Sequence, residues 1–180
     1  MIKRFCVPLV SFIALACSLN AYATPFGLSI SVPLVDKDPN HLHGYRAAVT
    51  YQPPCFVWNK LSVYFDAAYG HWWVDNDVPN KSISIYSVAP YVRYYLMLNN
   101  TFSPFIEASI GASILSKTRF SHQNLGIHYA FQDQMSFGAA FGPGQHLYAS
   151  LSAVHYSNAS MSQSNSGITV PVVLNVGYRF

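Results

Sequence analysis

The residues best suited to chemistry lie together in His155-Tyr156-Ser157-Asn158-Ala159. In an extended chain successive side chains point to opposite faces, so His155 and Ser157 share one. The residues before them on that face are Leu147, Ala149, Leu151 and Ala153, all apolar; Tyr148, Ser150, Ser152, Val154 and Tyr156 occupy the other. An imidazole base beside a hydroxyl, at the end of an apolar stripe, is what an esterase needs to attack an ester held in lipid. A His-x-Ser pair also arises by chance in many chains, so the elements that carry this one decide its meaning.

Those elements begin with export. Met1-Ile2-Lys3-Arg4 precedes an apolar run from Phe5 to about Leu19, and Ala21-Tyr22-Ala23 offers small residues for cleavage. The pattern predicts a secretory signal peptide over 1–23 and a single domain over 24–180. The run is too short for a spanning helix. Cys17 does not mark a lipoprotein, because Ala14 stands where such a signal requires leucine. Cys6 and Cys17 leave with the signal, and Cys55 alone rules out an internal disulfide and a cysteine-based zinc site.

Removing Lys3 and Arg4 from the ten Lys+Arg leaves eight, against seven Asp+Glu. A near-neutral mature chain gives no reason to expect nucleic acid as a partner. Charged residues are 9% of the chain, far below the roughly 25% of an ordinary soluble domain. No apolar run after Ala23 approaches the ~20 residues of a membrane helix. Low charge, 16% aromatic residues and no spanning helix point to an all-β fold, a closed antiparallel transmembrane β-barrel. Only closure lets strands satisfy their backbone hydrogen bonds inside lipid.

Alternation supports this strand by strand. Ile106, Ala108, Ile110, Ala112 and Ile114 oppose Glu107, Ser109, Gly111 and Ser113, and Tyr45, Ala47, Val49 and Tyr51 oppose Arg46, Ala48, Thr50 and Gln52. Apolar outside and polar inside, with a period of two, is the outer-membrane pattern. A water-soluble lipocalin-like barrel would reverse the faces and carry more outward charge. Eight strands are predicted, over 25–34, 43–52, 59–73, 82–97, 103–116, 126–141, 146–157 and 168–180, separated by turn residues such as Pro53-Pro54, Asn99-Asn100 and Gly142-Pro143-Gly144. Barrels of this size are filled by side chains. Inward Arg46, Asp66, Arg93 and Glu107 are expected to neutralise one another there. The final run, Val170, Val172, Leu174, Val176, Tyr178 and Phe180, is expected to face outward and resembles the C-terminal assembly strand of outer-membrane proteins.

Four further segments support a resemblance: Tyr64-Phe65-Asp66-Ala67-Ala68-Tyr69, Pro104-Phe105-Ile106-Glu107-Ala108-Ser109-Ile110-Gly111, Gln123-Asn124-Leu125-Gly126 and Asn165-Ser166-Gly167-Ile168. With the His155–Ala159 segment they run in family order, and the chain resembles the PagL family, lipid A 3-O-deacylases of Gram-negative outer membranes. The resemblance implies an eight-stranded barrel with its active site on the lipid-facing outside, near the extracellular end. Ser157 would be the nucleophile and His155 the general acid and base. Asn165 would help hold the oxyanion. Asn158 matches a further motif asparagine, with a turn role as the alternative. Ser160 stands where the family has a glycine that donates its N–H to the oxyanion.

One departure bears on activity. The family places the acid of its triad directly after the Gly-Ile pair, and here Gly167-Ile168 is followed by Thr169-Val170. Neither is acidic. Losing a triad acid can lower kcat by about 10⁴. A tight turn at Gly142-Pro143-Gly144 would set His155 opposite Phe131 or Asp133. Asp133 is the one acid on an otherwise apolar face, which makes it the substitute candidate. Of the two residues in the acid slot, Val170 is expected outward and beside His155, whereas Thr169 would need a bulge to reach that side.

The expected activity is that of a carboxylic ester hydrolase acting on lipid A or lipopolysaccharide, with no cofactor and no metal. The rivals are an impaired or non-enzymatic small barrel serving adhesion or membrane integrity, and a lipid acyltransferase. A homodimer is an open alternative for the assembly. His41-x-His43, His71, His122, His128 and His146 show no metal-site spacing; His71, beside Trp72 and Trp73, suits an interfacial belt.

Overall fold

A computed structural model describes residues 25–35, 42–75 and 78–180. The expected signal peptide and His41 lie outside them. Eight long strands form, β1 (Phe26–Pro33), β2 (Leu42–Tyr51), β4 (Leu61–Val74), β5 (Ser82–Tyr95), β6 (Phe102–Leu115), β9 (Tyr129–Phe141), β10 (Leu147–Ser157) and β11 (Ile168–Arg179). Three two-residue strands, β3 (Val57–Trp58), β7 (Arg119–Phe120) and β8 (Gln123–Asn124), lie in the connections. Each long strand pairs antiparallel with its neighbour in sequence, and β1 pairs with β11, so the ring closes on itself. β3 adds to β4 as a short extra strand.

The alternation read from the sequence decides which way each side chain points. Ile110 is 67% exposed and Met135 73% exposed, whereas Arg46, Arg93, Glu107 and Gln132 are buried. Exposed apolar side chains on strands all around the ring would be an aggregation hazard in water, and are the expected surface in lipid.

The interior is a polar plug. Arg46 donates to Asp66 at 2.6 Å, and Arg93 donates to Glu107 at 2.8 Å. Tyr64 donates to the same Glu107 carboxylate at 3.0 Å and stacks on Tyr91, whose hydroxyl donates to Gln134 at 3.0 Å. The Arg93 guanidinium also lies over the rings of Phe105 and Tyr148. Burying such charges costs several kcal/mol per ion unless they are paired and hydrogen-bonded, and these are both. The four charges expected to cancel do so.

One end of the plug is apolar instead. Leu42, Trp72, Ile83, Leu115, Phe120, Leu125 and Ile168 form a buried cluster there. Phe120 and Leu125 come from the 116–128 connection, whose β7–β8 ribbon folds over that end of the barrel. At the opposite end the 96–101 and 142–146 connections are short and 52–60 is intermediate, whereas the two longest connections, 116–128 and 158–167, lie at the capped end. Outer-membrane barrels have short periplasmic turns and longer extracellular loops, so the capped end faces outside the cell.

β11 corrects one expectation. Val170 is 0% exposed and belongs to the interior cluster, not to the outward face. The register jumps from Ser152↔Val173 to Val154↔Val170, so two residues of β11, Pro171 and Val172, stand against Ala153 of β10. Pro171 has no N–H to give to the ladder, and a proline inside a strand commonly marks such a bulge. Past the bulge the parity flips. Thr169, rather than Val170, shares the outer face with His155.

Candidate active site

The end of β10 presents His155 and Ser157 outward, both half-buried, about 6.6 Å apart along the strand. His155 is flanked by Asp133 of β9 on one side and by Thr169 of β11 on the other, and Ser157 pairs with Phe131. The imidazole Nδ1 lies 2.8 Å from the Thr169 hydroxyl. With that nitrogen engaged, Nε2 is left for proton transfer. Gly167, at φ +67°, backs the ring so closely that a Cβ there would stand 2.8 Å from His155 Cε1 and 3.3 Å from Nε2.

The carboxylates divide sharply. Glu107 faces the interior, bound to Arg93 and Tyr64, on the wrong side of the barrel wall to reach His155. Asp133 is on the right side and next to His155, but its carboxylate makes no hydrogen bond among the described residues. Thr169 therefore occupies the position beside His155 Nδ1, and no carboxylate does.

The 158–167 connection supplies amide donors. Asn158 is fully buried and its Nδ2 donates to Leu125 O at 2.6 Å and to Ser164 O at 2.8 Å. Its backbone N–H donates to Asn165 Oδ1 at 2.9 Å. An amide whose oxygen accepts this bond keeps its NH₂ free to donate elsewhere, and Asn165 is exposed. Ala159 and Ser160 follow at φ 50° and 63°, and the Met161 N–H donates to Asn158 O at 3.0 Å, closing a type I′ turn. Ser160 thus takes a backbone conformation that glycine takes without strain, at a cost of about 1–2 kcal/mol.

A second connection braces this one. Asn124 donates to Ser164 Oγ at 3.1 Å, and the Ser166 N–H donates to Asn124 O at 3.0 Å. Gly126 lies so close to Ser162 and Ser164 that no side chain would fit. The Gln123–Gly126 segment, which carries no chemistry of its own in the sequence, is the support on which the Asn158–Asn165 connection rests. Nothing short of the tertiary structure reveals that role, because it works mainly through backbone carbonyls and close packing.

Just below His155 on the lipid-facing wall, an open apolar groove of about 680 Å³ runs across β5, β6, β9, β10 and β11. Ala108 and Ala153 form part of its lining, with Ile106, Met135, Phe137 and Leu151 among the larger residues. The other histidines stand apart. His43 pairs with Asp75 at 2.9 Å and His71 with Ser84 at 3.0 Å, on β2 and β4 at the far side of the ring. His71 and Trp73 face outward among Tyr45 and Tyr69, while Trp72 turns into the core. Among the described residues no three metal-binding side chains cluster.

The structure thus brings His155, Ser157, Asn158, Asn165 and Thr169 to one corner of the barrel, sets Asp133 beside them without a bond to the ring, and keeps Val170 inside. Residues 43–179 match the family model described as "Lipid A 3-O-deacylase (PagL)". The chain is 38% identical over 109 residues to the lipid A deacylase PagL of Pseudomonas aeruginosa, an alignment covering 61% of this chain and 60% of that one. It is 27% identical over 176 residues to the lipid A deacylase PagL of Bordetella bronchiseptica, covering 93% and 92%. The crystal structure of the outer membrane enzyme PagL superposes with a TM-score of 0.72 at 28% identity, over 86% of this chain and 99% of that one. Neisserial surface protein A shares the fold alone, with a TM-score of 0.54 at 10% identity over 89% and 100% of the two chains. With a matching fold and a family match spanning most of its length, this outer-membrane β-barrel belongs to the PagL family of lipid A 3-O-deacylases.

Proposed function

We propose that this protein is exported by its signal peptide to the outer membrane and there hydrolyses the 3-O-linked acyl chain of lipid A as a serine esterase. The carrying observation is the placement of His155 and Ser157: a base and a hydroxyl on the lipid side of the wall, at the extracellular end, directly above an apolar groove. A lipid A molecule in the outer leaflet sets its sugar at this height and its acyl chains along the groove.

Ser157 Oγ attacks the ester carbonyl carbon while His155 Nε2 takes the hydroxyl proton. The carbonyl oxygen becomes an oxyanion, held by Asn165 Nδ2 and by the Ser160 N–H. Collapse of the tetrahedral intermediate breaks the bond to the sugar oxygen at position 3, which receives the proton from His155. Water then attacks the acyl-enzyme, giving its proton to His155, and the second collapse returns that proton to Ser157 and releases the fatty acid. Asn158 holds Asn165 in the donating orientation. Asp133 contributes its charge through space to the imidazolium, since it makes no bond to the ring.

Lipid A from cells expressing the protein should lose one 3-hydroxyacyl chain by mass spectrometry, and cells expressing Ser157→Ala should not. Unchanged lipid A in both would refute the reading. Thr169 in the family's acid position favours one second reading, a barrel that has lost hydrolysis, and the same comparison separates the two.

A further inference from the structure

Resting on that reading, we propose that Thr169 is the positioning residue for His155, so that this site works with an uncharged hydroxyl where its relatives' motif carries a carboxylate. Four observations converge on it. The hydroxyl lies 2.8 Å from His155 Nδ1, within ordinary hydrogen-bond range. The Pro171–Val172 bulge is what turns Thr169 onto the outer face; without it Val170 would stand there. Gly167 closes the space behind the ring, so the imidazole cannot swing away from Thr169 on that side. Among the described residues no carboxylate competes for the ring, because Glu107 is held inside the barrel by Arg93 and Asp133 makes no bond to it.

The chemistry follows from which nitrogen carries the proton. For Nε2 to accept the Ser157 proton, Nδ1 must be the protonated nitrogen and the Thr169 oxygen must be its acceptor. A threonine oxygen accepts this bond as a carboxylate would, so it selects the same tautomer and the same ring orientation. It lacks the negative charge that stabilises the imidazolium formed during attack. Orientation is kept and part of the rate is given up. Turnover should therefore lie below that of a site with a carboxylate at this position, and above that of a site with no acceptor.

The test uses the purified, refolded barrel with Thr169→Val, Thr169→Ser and Thr169→Glu. Thr169→Val keeps the shape and removes the acceptor; kcat should fall by about 10²-fold with KM little changed, a smaller loss than the ~10⁴ of a deleted triad carboxylate. Thr169→Ser should keep most of the activity. Thr169→Glu should raise kcat, and the acid limb of its pH–rate profile should move to higher pH, because a carboxylate beside the ring favours imidazolium. Ring ¹⁵N signals of His155 should report the Nδ1-protonated tautomer in wild type and Thr169→Ser, and a mixture in Thr169→Val. Wild-type activity in Thr169→Val, or a Thr169→Ser as poor as Thr169→Val, would overturn the proposal while leaving the esterase reading intact. Wild type inactive on lipid A would instead sink the esterase reading; the tautomer signals then decide the positioning role, which falls if Thr169→Val leaves them unchanged.

Discussion

Gly167→Ala adds one methyl group at the back of the His155 ring. The new Cβ would stand 2.8 Å from Cε1, whereas carbon atoms pack at about 3.5–4.0 Å, so the ring must withdraw by at least about 0.7 Å. A displacement near 1 Å of a reacting group can cost about 10²-fold in rate. The backbone at φ +67° adds a separate penalty of about 1–2 kcal/mol for a residue with a Cβ, which bears on folding and not on chemistry. That penalty falls on a connection between two ladder strands, so the barrel should still assemble and remain heat-modifiable on gels. The assay is release of hydroxy fatty acid from lipid A in detergent micelles by the refolded protein. We expect kcat down by about 30- to 100-fold with KM nearly unchanged, since the groove below Ala153 is untouched. A folded Gly167→Ala variant with wild-type kcat would refute the claim that this glycine fixes the position of His155.

Other perturbations separate the roles of the neighbouring groups. Asn165→Ala removes one oxyanion donor and should lower kcat by about 10²–10³-fold in the same assay, with the fold intact; a loss below about threefold would take Asn165 out of the oxyanion site. Asp133→Asn keeps the shape and removes a charge that touches the ring through no bond, so kcat should fall by no more than about tenfold. A loss of about 10⁴ there would make Asp133 the triad acid after all, and Thr169 a bystander.

Much of the scaffold was legible because it obeys a period of two. The eight predicted strands and the eight observed long strands agree to within a few residues, and the inward charges pair as expected. A tight turn at Gly142-Pro143-Gly144 sets the β9–β10 register closely enough that sequence narrows the partner of His155 to Phe131 or Asp133, and the structure pairs it with Asp133. What failed was parity across β11. Simple alternation carried Val170 outward, and Pro171 was the available sign that the alternation breaks there. The cap was missed for a different reason. Phe120 and Leu125 lie in a connection with no strand-length pattern, and they are buried only because the β7–β8 ribbon folds back over the barrel end. The coupling of Asn158 to Asn165 was equally hidden, since it depends on a turn at Ala159-Ser160 that a serine does not advertise.

Whether Ser157 on the outer face of this barrel cleaves the 3-O-acyl ester of lipid A is decided with purified wild-type and Ser157→Ala protein on one defined lipid A, read by mass spectrometry of both the lipid and the freed acid. Wild type should release a single 3-hydroxy fatty acid from position 3 and leave the amide-linked chains in place. Ser157→Ala, folded to the same barrel, must release none. Equal release by the two proteins, or no release by wild type under conditions where the barrel is folded, would contradict cleavage by Ser157.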